Sequence, residues 1–107
     1  FLYHKTTRRA VYVEALASRP GFDDVILFNA DGEITESSRA NVAAEMDGVL
    51  CTPPVSCGLL AGTLRARLLE TGELVERVIP VDALLRSPRV VLVNSVRGQV
   101  PVTVIAP

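Results

Sequence analysis

The chain has one histidine, two cysteines and one lysine in 107 residues. A lone imidazole, His4, with two separated cysteines, Cys51 and Cys57, does not make up the ligand set that zinc takes, so no metal site is expected. Those cysteines form neither a disulfide framework nor a C-x-x-C pair, which fits a reduced, cytoplasmic setting. A Ser-His-Asp triad would have to use His4, and no G-x-S-x-G turn accompanies it. Excess charge of either sign is also missing. Eleven Lys and Arg against twelve Asp and Glu leave a net charge of −1. That is no footprint for nucleic acid or an anionic membrane surface. Apolar runs such as Val90-Val91-Leu92-Val93 stop too soon to span a bilayer, and no signal-like segment opens the chain.

What is present is globular in kind: 49% hydrophobic and 21% charged residues, enough to build a core and too few charges for a disordered tail. The length is that of one domain. Because the chain begins at Phe1 and not at methionine, it is expected to be a piece of a longer one.

Along the chain, residues 6–18 read as a helix, with Val11, Ala15 and Leu16, and Tyr12 four before Leu16, at helical spacing. Arg19-Pro20-Gly21 ends it. Residues 24–29 read as a strand buried on both faces, and the turn at Asn29-Ala30-Asp31-Gly32 makes a hairpin with residues 33–35. A second hairpin joins residues 40–45 to Val49–Thr52 around Asp47-Gly48. Thr63–Thr71 reads as a helix, with Leu64, Leu68 and Leu69 on one face and Gly72 as its stop. Residues 75–81 read as a strand, Asp82 as the cap of a short helical turn, and 89–93 and 100–105 as strands, Pro101 placing part of the last at an edge. The class is α+β, strand-rich, in one unit.

Three features carry chemistry. Lys5 is the only lysine among eleven basic residues. Unlike arginine, lysine can lose its proton when desolvated and attack a carbonyl, although it also suits a plain surface position. Thr35-Glu36-Ser37-Ser38 puts a carboxylate beside hydroxyls at a strand end, either to hold a cationic ring nitrogen or as a solvated turn. Residues 58–64 form a glycine turn running into a helix. It lacks the lysine of a P-loop, and it is either a connector or a seat for an anion on free N–H groups.

Taken in order, several motifs resemble one family. They are His4-Lys5-Thr6-Thr7-Arg8, Gly21-Phe22-Asp23-Asp24, Asn29-x-x-Gly32-Glu33-Ile34-Thr35-Glu36-Ser37, Asn41, Thr52-Pro53, Gly58-Leu59-Leu60-x-Gly62-x-x-Arg65 and Asn94-Ser95-Val96-Arg97-Gly98. Together they look like the class IV aminotransferases, pyridoxal phosphate enzymes of fold type IV. The first and last motifs look most like the aminodeoxychorismate lyase branch, often the C-terminal part of a para-aminobenzoate synthase fusion.

The resemblance implies a curved, barrel-like sheet with flanking helices, the larger C-terminal domain of that fold, over residues 1–107. It implies pyridoxal 5′-phosphate as cofactor and a small-molecule substrate. For the parent it implies release of pyruvate and para-aminobenzoate from 4-amino-4-deoxychorismate on the way to folate. Transamination of branched-chain or D-amino acids is the alternative, and a silent structural or dimerising remnant the third reading. A homodimer is expected, with no nucleic acid or membrane partner. Lys5 corresponds to the catalytic lysine that holds the cofactor covalently and moves protons. Glu36 corresponds to the partner of the pyridine nitrogen. Thr63 and Leu64 correspond to the phosphate-binding amides, Ser95 to a hydroxyl of the same cup, and Ser38 to a neighbour of the cofactor. Asn94 and Arg97 correspond to substrate-side residues, the arginine suited to a carboxylate. The smaller N-terminal domain of the family, which supplies an arginine to the phosphate and one wall of the pocket, is not in this sequence, so the 107 residues alone are expected to be inactive.

Overall fold

A computed structural model describes residues 10–15 and 23–105. Eight strands are present among them: β1 (Ala10–Ala15), β2 (Asp23–Phe28), β3 (Ile34–Ser37), β4 (Asn41–Met46), β5 (Val49–Thr52), β6 (Val75–Glu76), β7 (Val90–Asn94) and β8 (Gly98–Val104). Two helices accompany them, α1 (Thr63–Thr71) and α2 (Val81–Arg86), with a 3-10 turn at Val55–Cys57.

The strand order is β3-β2-β1-β8-β7-β4-β5-β6, with a further pairing of β3 to β4. Six strands thus close into a barrel, and β5 and β6 extend from it. The branch point is β4. One of its edges pairs with β7 from Asn41↔Val93 to Ala44↔Val90. The other edge meets β3 at a single pair, Glu36↔Asn41, and then runs along β5 at Ala44, Glu45 and Met46. The start of β3 is covered instead by the segment entering α2. Ile34 N–H donates to the Ile79 carbonyl at 2.8 Å, and Val81 N–H to the Gly32 carbonyl at 3.0 Å.

Period-two alternation explains the cores. Val42 and Ala44 of β4 and Val90 and Leu92 of β7 face the barrel interior, with Val11, Val13, Ile26, Ile34, Val100 and Val102. Ile79 and Leu84, both fully buried, fill the space where β3 and β4 diverge. The alternate residues Ala43, Val91 and Val93 lie on the outer face beneath Leu68 and Leu74, with Leu64 and Leu69 packed against them. This is the leucine face expected of α1. Gly72 ends the helix at φ 84°, and Leu74 N–H donates to the Leu68 carbonyl at 3.0 Å.

Both expected hairpins form, the second turning on Asp47 and Gly48, each at positive φ. Other expectations need correction. Residues 10–15, expected within a helix, are a strand. Val11 and Val13 face inward and Tyr12 and Glu14 outward, a two-residue alternation that β-branched and aromatic residues favour. The rest of 6–18 lies outside the described residues. Strand β2 is buried on one face only, through Asp24 and Ile26, whereas β7 is buried on both. Only Val75 and Glu76 of 75–81 form a strand. Pro80, not Asp82, occupies the N-cap of α2, and Asp82 lies in the first turn, paired with exposed Arg86 at 3.2 Å. Pro101 lies inside β8, at a point paired with β7 alone, since β1 joins only from Val102.

Candidate functional site

Glu36 lies two residues beyond Ile34 on β3, hence on the same strand face, and is half-buried. Its Oε1 accepts a hydrogen bond from Leu60 N–H at 3.1 Å. Its register partner Asn41 holds the same loop from β4. Asn41 Nδ2 donates to the Leu60 carbonyl at 2.7 Å, and its Oδ1 accepts from Gly62 N–H at 3.1 Å. Gly62 is required by that approach, because a Cβ there would stand 2.7 Å from Asn41 Oδ1.

Helix α1 begins directly after Gly62 and has no side-chain cap. Its first residues face the turn after β7. Thr63 Oγ1 and Ser95 Oγ are 2.6 Å apart, and Leu64 N–H donates to Ser95 Oγ at 3.3 Å. Asn94 shapes that turn. Its Oδ1 accepts from Val96 N–H at 2.7 Å and Arg97 N–H at 3.2 Å, and its Nδ2 donates to the Arg39 carbonyl at 2.7 Å. Two exposed hydroxyls and the positive end of a nine-residue helix thus converge in polar surroundings. Phosphate oxygens accept hydrogen bonds from these donor types, so the set fits a phosphate monoester. The loop from Leu59 to Gly62 connects this cup to the Glu36 carboxylate. The arrangement thus offers a carboxylate at one end of the loop and phosphate-type donors at the other.

The structure therefore brings together Glu36, Thr63, Leu64, Ser95, Asn94 and Arg97 of the expected site. Ser38 is turned elsewhere: its hydroxyl and N–H both donate to Asp24 Oδ1, the N–H at 3.3 Å. Lys5 lies outside the described residues. A cavity of about 500 Å³ lined by Tyr12, Val13, Asp24, Val25, Ser38 and Ile105 is not lined by Glu36, Thr63 or Ser95. Among the described residues no group of three or more His, Cys, Asp and Glu could hold a metal, and no helix is long and apolar enough to cross a membrane.

Two residues of the site had no role assigned from sequence. Asn41 gave no signal beyond its place in a motif. Arg65, with 3% of its surface exposed, has Nη2 donating to the Pro53 carbonyl at 3.0 Å and to Glu76 Oε2 at 2.6 Å, while its Nε has no partner. The available signal was a cation in the first turn of a helix, where the dipole disfavours it. Near the site, Asn29 Nδ2 donates to Glu33 Oε1 at 3.0 Å and the Cys57 thiol lies 3.6 Å from the same oxygen. Burial, and then the Glu33 charge, push that thiol above its ordinary value.

Residues 1–105 match the sequence profile of the amino-transferase class IV family. The chain belongs to the class IV aminotransferases. Among class IV relatives, a protein of Schizosaccharomyces pombe provisionally named an aminodeoxychorismate lyase is 39% identical over 101 residues, covering 88% of this chain and 44% of its own length. Of solved structures, a provisionally named amino-acid aminotransferase from Mesorhizobium loti superposes with a TM-score of 0.69 at 44% identity, over 73% of this chain and 38% of that one. A provisionally named 4-amino-4-deoxychorismate lyase from Legionella pneumophila gives 0.66 at 31% identity, over 74% of this chain and 31% of its own. The chain thus spans less than half the length of these class IV proteins, and their barrel-like sheet with few helices is the fold found here.

Proposed function

We propose that these residues form the cofactor-holding part of a pyridoxal-phosphate-dependent lyase that releases pyruvate from 4-amino-4-deoxychorismate, acting within a longer parent protein. The observation that carries this reading is the coupling of Glu36 to the Thr63, Leu64 and Ser95 cup through a loop held by Asn41. The likeness to the yeast and Legionella proteins favours the lyase branch.

When bound, the cofactor supplies an electron sink for the carbon that carries the amine. The residues of this chain hold and tune it. The helix end and the two hydroxyls bind the phosphate, and the Glu36 carboxylate keeps the ring nitrogen protonated. Lys5 is the covalent anchor and the base that moves a proton at the amine-bearing carbon. The Arg97 backbone N–H donates to Asn94 Oδ1 in the turn that carries Ser95, and on this reading its guanidinium takes a substrate carboxylate.

Borohydride reduction with the cofactor is expected to add the pyridoxyl mass to the peptide containing Lys5. Label found only at other amines of the parent rejects the assignment. The likeness to the Mesorhizobium protein supports transamination as the second reading. Pyruvate release from the aminodeoxychorismate substrate without an amino acceptor separates the two reactions. A cofactor titration with no visible absorption change leaves only a structural module.

A further inference from the structure

Arg65 is the third residue of α1, two beyond Thr63, and its stem leads away from the cup into the protein. Its guanidinium reaches the Pro53 carbonyl at the end of β5 and the Glu76 carboxylate on β6. Arginine keeps its proton even when buried, so the site carries a fixed positive charge. That charge is poorly balanced. Glu76 is half exposed, the Pro53 contact is a neutral carbonyl, and Nε is buried without a partner. The helix dipole adds positive potential at the same end, and the first turn of α1 contains no acidic side chain. A buried ion with one water-facing counter-charge is costly to hold. A doubly charged phosphate at the cup would offset both sources of positive potential.

We propose that Arg65 and Glu76 set the phosphate selectivity of the cup from behind it. Arg65 supplies potential without touching the ligand, and Glu76 attenuates it. Arg65 is thus a positioning and electrostatic residue for a phosphate monoester dianion, whereas a purely mechanical tie would serve only to hold α1 on β5 and β6. The inference rests on the reading of the cup given under Proposed function.

The test compares the parent protein's affinities for pyridoxal 5′-phosphate and for pyridoxal, which shares the ring and lacks the phosphate. The wild type is expected to prefer the phosphorylated form. Glu76→Gln keeps an oxygen for Arg65 and removes a charge, so the preference is expected to rise about threefold or more. A mechanical tie predicts an unchanged or smaller preference in E76Q, and that result overturns the proposal. Arg65→Lys retains the charge and is expected to hold the preference to within about threefold, while Arg65→Met lowers it about tenfold. If Arg65→Met does not fold, the sign of the E76Q change decides. A wild type with no preference overturns the cup itself, which is distinguishable from a preference that Glu76→Gln fails to raise.

Discussion

Glu36 and Asn41 face each other as the single residue pair joining β3 to β4, and together they grip Leu60, one by its N–H and the other by its carbonyl. The seam that closes the barrel is therefore also the support of the loop that leads into the phosphate cup. On the function proposed above, structural and functional demands fall on the same two side chains.

Truncating Asn41 leaves the Leu60 carbonyl and the Gly62 N–H without their partner. Asn41→Ala is expected to destabilise the fold by about 1–3 kcal/mol, measured as a lower urea midpoint at unchanged slope. Cofactor affinity should fall with it. Full stability in the variant contradicts the role of the seam.

Glu36→Gln separates charge from support, because the amide oxygen can still accept from Leu60 N–H. In the parent protein, turnover is expected to drop by far more than cofactor affinity. Equal losses in both point to disruption of the loop instead.

Gly62→Ala places a methyl group against Asn41 Oδ1 in a region where Asn41 is itself buried. The expected cost is about 1–2 kcal/mol from one weakened hydrogen bond plus local strain. A thermal midpoint equal to that of the wild type removes the close approach.

The raised thiol of Cys57 gives a pH dependence of known sign. Below the ordinary thiol range both folded and unfolded chains keep the proton, and the group contributes nothing. As pH climbs through that range the unfolded chain ionises first, so it binds fewer protons and stability falls. Comparing urea midpoints at about pH 7 and about pH 9.5 should show a loss that Cys57→Ser reduces. The thiol should also resist alkylation in the folded state near neutrality.

The legible part of the fold was the part where two signals agreed. Asp-Gly turns lay between apolar runs at both hairpins, and the leucines of α1 preceded a terminating glycine. Around Val11 two periods competed. Ala15 and Leu16 fit a helix, while Val11 and Val13 against Tyr12 and Glu14 fit a strand, and the barrel took the second. Ile79 was read within a strand, yet it fills the gap between β3 and β4, a role set by partners distant in sequence. In the site, Glu36 and the glycine turn announced themselves by residue type. Arg65 and Asn41 did not, because their importance comes from contacts with Pro53, Glu76, Leu60 and Gly62 that no local pattern encodes.

Closure of the sheet has a bearing on how copies of the molecule meet. Among the described residues, seven strands have a neighbour on each side, and only β6, the pair Val75 and Glu76, terminates the sheet. Edge strands are the template for polymerisation between molecules, and the one strand described here with a single neighbour throughout is two residues long, one of them a glutamate bound to Arg65, while residues 98–101 of β8 are described as paired with β7 alone and include Pro101, which has no N–H to offer. Strand β6 is therefore a poor strand to lend. Any dimer of the parent is expected to meet through side-chain surfaces such as the exposed Leu60 and Val96, leaving the backbone ladder of each copy to itself.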